Sequence, residues 1–222
     1  DAPSAPRAAT TPAVPAAPAA LPTRPGRSAE PANPSPPAAT HAAGEEVQRA
    51  AAICSRGREA VLAMFNEARM GHTVDAQSCL PLVDDITQSV WRNPDALVSL
   101  ARLKTRDNYS YMHSVAVCAL MVALGRRLGM DEDACRAAGL AGLVHDVGKA
   151  VMPLEVLNKP GKLTDDEFRV IRSHPARGHA LLVDGRGATP EMLDVVLHHH
   201  ERIDGTGYPD RLAGEALSPL AR

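Results

Sequence analysis

His145 and Asp146 stand side by side at the end of the run Ala134-Cys135-Arg136-Ala137-Ala138-Gly139-Leu140-Ala141-Gly142-Leu143-Val144, and Lys149 follows three residues later. Imidazole and carboxylate are ligands for divalent transition metals. Ionisable side chains delivered into an apolar core must be paired, hydrogen-bonded or metal-bound, because an isolated buried charge is too costly. The pair therefore points to a metal centre. The competing reading is a histidine capping a helix C-terminus beside a solvated aspartate. Adjacent helical side chains diverge by about 100°. His145 and Asp146 therefore serve one ion at a helix end, or two ions that divide the carboxylate oxygens.

The chain has nine histidines, seven of them between His113 and His200. His113 lies within an apolar stretch, His174 precedes Pro175, and His198-His199-His200 leads into Glu201. His199 and His200 differ by about 100° around a helix, whereas His198 points about 200° away from His200. At most two of the three reach one site, and His199 and His200 are the choice. His179 falls on another helix face than His174, and His41 and His72 lie outside this histidine-rich half.

The ordered set His113, His145-Asp146-Val147-Gly148-Lys149, His174-Pro175-Ala176-Arg177-Gly178, His199-His200-Glu201 and Asp204-Gly205-Thr206-Gly207-Tyr208-Pro209 resembles the HD-GYP branch of the HD phosphohydrolase superfamily. The stretch Leu157-Asn158-Lys159-Pro160-Gly161-Lys162-Leu163-Thr164 is similar to that family's connection, and the likeness spans residues 107–222. It implies an all-α, HD-type helical bundle holding two divalent metal ions on His113, His145, Asp146, His174, His199 and His200, with Asp146 as the bridge. Two cations about 3.5 to 4 Å apart lower the pKa of a bridging water and stabilise a departing oxygen. Phosphodiester hydrolysis needs both, with Asp146 and Lys149 as catalytic groups and Lys149 contacting the phosphate. Fe or Mn suits such a mixed His and carboxylate set.

The implied substrate is cyclic di-GMP, cleaved either to linear pGpG or further to GMP. Gly205, Gly207 and Pro209 shape a loop that presents Tyr208, so Gly207 and Tyr208 join Lys149 as expected substrate contacts. The same loop is linked in the family to partners, here GGDEF diguanylate cyclase domains. Glu201 and Asp204 are expected to orient the imidazoles or the loop. The alternatives are a non-catalytic cyclic-dinucleotide sensor or interaction module, and a phosphohydrolase acting on another nucleotide. Two departures stand out. Tyr109 occupies the position where some members carry a glutamate for a third metal, and the sequence stops at Arg222, before a further aspartate ligand and basic substrate contacts, leaving the domain incomplete at that end.

Several helices must position these residues. One is expected from residue 107 to Leu128, ending near Gly129. The central one starts with Asp131 as N-cap and delivers His145-Asp146. Thr164 followed by Glu167 matches a capping box for a helix leading towards His174, and Pro190 opens the helix that ends in the histidine triplet. Between Lys149 and Gly161 an irregular segment is expected.

Upstream, residues 1–43 are dominated by Ala and Pro and read as a disordered linker. Residues 44–106 read as connecting or regulatory helices. One carries Val47, Ala51, Cys54, Val61, Leu62 and Phe65, with Gly71 as terminator. It packs on the following helices or, alternatively, forms the coiled-coil seam of a homodimer. A second runs over residues 75–91, with Pro81 near its start, and a third over residues 95–100.

The 222 residues include only two Phe, three Tyr and one Trp, so the core is aliphatic. A net charge of −2 gives no electrostatic case for a nucleic-acid polymer or an anionic membrane. No run is long enough for a transmembrane segment. Cys54, Cys79, Cys118 and Cys135 are widely spaced and read as reduced residues of a cytoplasmic protein.

Overall fold

The helices expected around the histidines are present, and their caps explain where they start. A computed structural model describes residues 38–93 and 109–222, together with Asp95 and Leu97. The linker up to residue 37, the helix over residues 95–100 taken as a whole, and the Tyr109 side chain lie outside the described residues. The described elements are α1 (Ala38–Arg69), α2 (Leu80–Arg92), α3 (Tyr109–Arg127), α4 (Glu132–Val144), α5 (Leu154–Leu157), α6 (Asp165–Ile171), α7 (His174–Val183) and α8 (Pro190–His198). Short 3-10 turns occupy Ala76–Cys79, Val147–Val151 and Gly214–Ala216. Among the described residues there is no β-strand, only an isolated antiparallel bridge between Asp204 and Ala213. The architecture is all-α.

Asp131 caps α4 by accepting the Ala134 amide at 2.8 Å. The Thr164–Glu167 capping box opens α6, and Thr189 accepts from the Met192 amide to start α8 just ahead of Pro190. Each cap satisfies an N–H that a first helical turn leaves without a partner. At the other ends, Gly71 and Gly129 take positive φ just beyond α1 and α3, where only glycine does so without strain.

Two boundaries differ from the sequence reading. Helix α1 begins at Ala38, inside the stretch read as linker. Pro37 is the last proline before it, and Ala38-Ala39-Thr40-His41-Ala42-Ala43 is rich in the best helix former. The segment from Lys149 to Gly161, expected to be irregular, starts in the Val147–Val151 turn and contains the single turn α5. Pieces this short fall below the window in which periodicity is visible.

The described helices form one compact unit with one aliphatic core. Val61 and Phe65 of α1, Ile86 of α2, Val122 of α3, Leu143 of α4 and Val196 of α8 are all buried in it. Packing within the chain covers Val61 and Phe65 of the apolar face expected on α1, whereas Val47 and Ala51 are exposed and Ala50 and Ile53 are buried in their stead. Two polar ties fix that helix. Buried Glu46 accepts from Ser89 Oγ and Arg92 Nε, each at 2.9 Å, and Arg69 Nε donates to the Ala150 carbonyl at 3.1 Å. The second tie reaches the 3-10 turn that carries Lys149. No described helix is long and apolar enough to cross a membrane. All four cysteines are free thiols, three of them buried.

Candidate metal centre

Helix α4 is apolar and buried from Ala138 to Val144, and it stops just before the pair. His145 is its C-cap, and Asp146 has left helical geometry at φ −97°, ψ 8°. The change of backbone direction lets both side chains face the same interior. Asp146 is 2 % exposed and His145 6 %. Neither is a solvated cap.

Around Asp146 the two carboxylate oxygens face different partners. Oδ2 lies 3.2 Å from His145 Nε2, 3.7 Å from His113 Nε2 and 2.7 Å from Lys149 Nζ. Oδ1 lies 3.2 Å from His174 Nε2 and 3.6 Å from His199 Nε2. Two sets of ligand-type atoms, each within 4.8 Å of one another, share Asp146: His113, His145 and Asp146 in one, and Asp146, His174, His199 and His200 in the other. All six side chains singled out in the sequence are therefore together, delivered by α3, the end of α4, the start of α7 and the end of α8.

The donor chemistry fits cations. His145, His174 and His199 each place Nδ1 on a backbone carbonyl: Gly142 at 2.7 Å, Ile171 at 2.7 Å and Val196 at 3.0 Å. An Nδ1–H given to a carbonyl leaves Nε2 of the neutral ring as a lone pair. Those lone pairs then point at one another and at a carboxylate, with His174 Nε2 only 3.1 Å from His199 Nε2. Buried Asp146 Oδ1 has no hydrogen-bond partner. Such an arrangement repels itself unless positive charge sits among the nitrogens and oxygens.

Without a cation, a proton on the His145, His174 or His199 nitrogen that faces Asp146 supplies the missing positive charge: burial would raise the Asp146 carboxyl, but these contacts more than offset it and hold it well below the usual carboxylate range. It is ionised. Burial pushes His199 down despite the opposing pull of Asp146. His200 is pushed down to about 3 by burial and then by His199 and His174. Both rings are neutral near pH 7, the form that binds metal.

Of the remaining residues, His198 turns away. Its Nδ1 meets Asp194 at 2.7 Å and its Nε2 meets Asp210 at 3.1 Å, as the helical angle requires. Glu201 and Asp204 serve the loop rather than the imidazoles. Glu201 Oε1 accepts the amides of Asp210 and Arg211 at 2.6 and 2.8 Å. Asp204 accepts from the Thr206 hydroxyl and amide and from Arg202, which lower its pKa to about 2. Gly207 packs against the Glu201 backbone so closely that a Cβ would fall 2.4 Å from the Glu201 Cα. The loop thereby seats Tyr208 on His200, with rings stacked at 4.7 Å and 21°. Burial pushes the Tyr208 phenol up to about 12, so it remains a donor.

Beside the centre is a cleft of about 480 Å³ lined by Phe168, Arg172, His199, His200, Gly207 and Tyr208 among others. A smaller cavity of about 270 Å³ lies against His113, His145 and Leu220. Sequence reasoning missed two residues. Gly148 permits the close approach of the Lys149 turn to α7, and Arg172 stacks over Tyr208 at 4.3 Å. Only the Gly within His145-Asp146-Val147-Gly148-Lys149 offered a signal, because the other role exists only across elements.

Fold and site together define an all-helical domain of the HD type, built on a buried His-Asp pair. The family model described as "HD domain" matches residues 90–222, and one described as "Domain of unknown function (DUF3391)" matches residues 1–79. The chain belongs to the HD domain family. It is 57% identical over 178 residues to cyclic di-GMP phosphodiesterase PA4108 of Pseudomonas aeruginosa, covering 80% of this chain and 43% of that protein. It is 38% identical over 119 residues to 3'3'-cGAMP-specific phosphodiesterase 1 of Vibrio cholerae, covering 53% of this chain and 27% of that protein. The chain thus spans less than half the length of these relatives. Among solved structures it is similar to Bd1817, a HDG"Y"P protein from Bdellovibrio bacteriovorus, with a TM-score of 0.67, 24% identity and coverage of 79% and 57% of the two chains.

Proposed function

We propose that this chain carries the catalytic centre of a metal-dependent phosphodiesterase that hydrolyses cyclic di-GMP to linear pGpG and on to GMP in the cytoplasm. The supporting observation is the division of the Asp146 oxygens between two groups of imidazoles, which suits a pair of divalent ions, Fe or Mn. The sets are His113 and His145 on one side and His174, His199 and His200 on the other, with Asp146 common to both. When bound there, two ions supply a hydroxide at neutral pH and neutralise charge on the phosphate. The protein's own groups do the rest. Asp146 holds the centre together, and Lys149 places its ammonium at Oδ2, where it can turn to a phosphate oxygen as charge develops. Gly207 and Tyr208 shape one wall of the cleft, so the ribose-phosphate ring of a cyclic dinucleotide is held beside His199 and His200.

The half-buried ring of Tyr208 on His200 supports a substrate role for this loop. Contact with GGDEF domains and formation of a homodimer are further proposals, tested by co-purification and by sedimentation. The likeness to a cGAMP-specific relative favours a second substrate reading, 3'3'-cGAMP. The deciding experiment supplies full-length, Mn- or Fe-loaded protein with each cyclic dinucleotide and separates products by chromatography. Wild type should release pGpG and GMP from cyclic di-GMP, and chelation or His145→Ala should abolish release. Product formed equally by His145→Ala would refute the assignment.

A further inference from the structure

Among the cationic side chains around the cleft, Arg172 is held but not paired. It is the C-cap of α6, half-buried, with its guanidinium carbon 4.3 Å from the Tyr208 ring centroid and 5.8 Å from that of Phe168. Among the described residues its side chain has no hydrogen bond or ion pair. Arg202, on the same cleft, pairs with Asp204 at 3.3 Å. Arg126 also stacks on an aromatic ring, Trp91, but donates to the Val90 and Trp91 carbonyls. Arg172 thus presents guanidinium donors to the cleft without an acceptor, while two rings restrict its motion.

We propose that Arg172 is a substrate-binding residue that takes the second phosphodiester of a cyclic dinucleotide, the one not undergoing hydrolysis. The proposal rests on the phosphodiesterase reading above. The ions and Lys149 serve the scissile phosphate, and a cyclic dinucleotide brings another phosphate fixed at ring distance. Arg172 lies two successive ring contacts from the centre, through Tyr208 and His200. A planar guanidinium matches phosphate oxygens in a bidentate fork. Because the stacks already restrict the side chain, less rotamer freedom is lost on binding. Arg172 therefore selects substrates with two phosphates over those with one.

The test compares wild type and Arg172→Gln in the full-length, metal-loaded protein with two substrates: cyclic di-GMP and bis(p-nitrophenyl) phosphate, which has a single phosphodiester. Loss of a charge-assisted contact should raise KM for cyclic di-GMP by about tenfold or more. The change in kcat should be smaller, metal content should match wild type, and the chromogenic diester should suffer far less. Arg172→Lys should restore part of the loss. An unchanged KM for cyclic di-GMP, or equal losses on both substrates, would overturn the proposal, the latter showing that Arg172 only props Tyr208. Wild type without turnover of cyclic di-GMP would overturn the underlying function and this residue's role with it.

Discussion

Gly148 lies against the first turn of α7 so tightly that a Cβ on it would sit 1.9 Å from the carbonyl oxygen of His174 and 2.5 Å from the amide nitrogen of Gly178. Both obstacles are backbone, so no rotamer change relieves them. This contact sets the distance between the turn carrying Lys149 and the helix carrying His174, and hence between Asp146 Oδ1 and His174 Nε2. Gly148→Ala should push the two apart. Overpacking costs about 1–3 kcal/mol, and here metal affinity should fall as well. Thermal melting and metal analysis of the variant check this, and a native-like melting point with full metal content would count against it.

His198 contributes without joining the centre. It links Asp194 on α8 to Asp210 beyond the Tyr208 turn, while Ser218 donates to the other Asp194 oxygen. His198→Ala leaves Asp194 and Asp210 without their common partner and frees the loop from α8. The loss should be about 1–2 kcal/mol of stability, in the range of a hydrogen bond removed from a partly buried partner. KM for the cyclic dinucleotide should rise several-fold while metal content stays at the wild-type level. Metal loss in this variant would instead place His198 among the ligands.

The contrast between His198 and its neighbours shows how far the sequence carries. Helical angles sufficed to separate His198 from His199 and His200, because the direction of a side chain from a helix is local information. Caps such as Asp131 and Thr164 were legible for the same reason. The meeting of His113 with His145 was not local, and it was reached through the ordered motif rather than through any single spacing. Arg172 and the contact of Gly148 with His174 remained hidden. A stacked guanidinium and a backbone approach depend on two elements whose relative placement no linear pattern states. The early start of α1 follows from the alanines directly after Pro37, whose helix propensity is a property of those few residues and not of the proline-rich composition before them.

Acid should weaken the tie between α1 and α2. Hydrogen bonding from Arg92 lowers the Glu46 carboxyl below its ordinary 4.5, against burial, with Ser89 and Arg49 adding to the effect. A carboxyl whose folded-state pKa is depressed binds fewer protons folded than unfolded, so it contributes stability above its unfolded value. That contribution is lost as pH falls below about 4.5 through the folded value. Glu46→Gln should therefore destabilise the protein by roughly 1–3 kcal/mol at pH 7. The difference from wild type should shrink in melts recorded towards pH 3. A difference independent of pH would show that the charge of Glu46 is not what matters.

The sharing of Asp146 makes a prediction about metal number that separates the two halves of the centre. Because Oδ2 faces His113 and His145 whereas Oδ1 faces His174 and His199, a ligand lost from one half should empty that half first. Wild-type protein should hold about two ions per chain, as in two-metal hydrolases. His113→Ala and His200→Ala should each retain about one, and Asp146→Ala almost none, since it removes a ligand from both positions. His200 is neutral near pH 7, so its removal takes away a ligand without changing the charge around the other ion. Elemental analysis after dialysis reads the stoichiometry directly. Equal retention by Asp146→Ala and either histidine variant would mean that the carboxylate does not bridge, and the proposed shared centre would have to be replaced by two independent sites or by one.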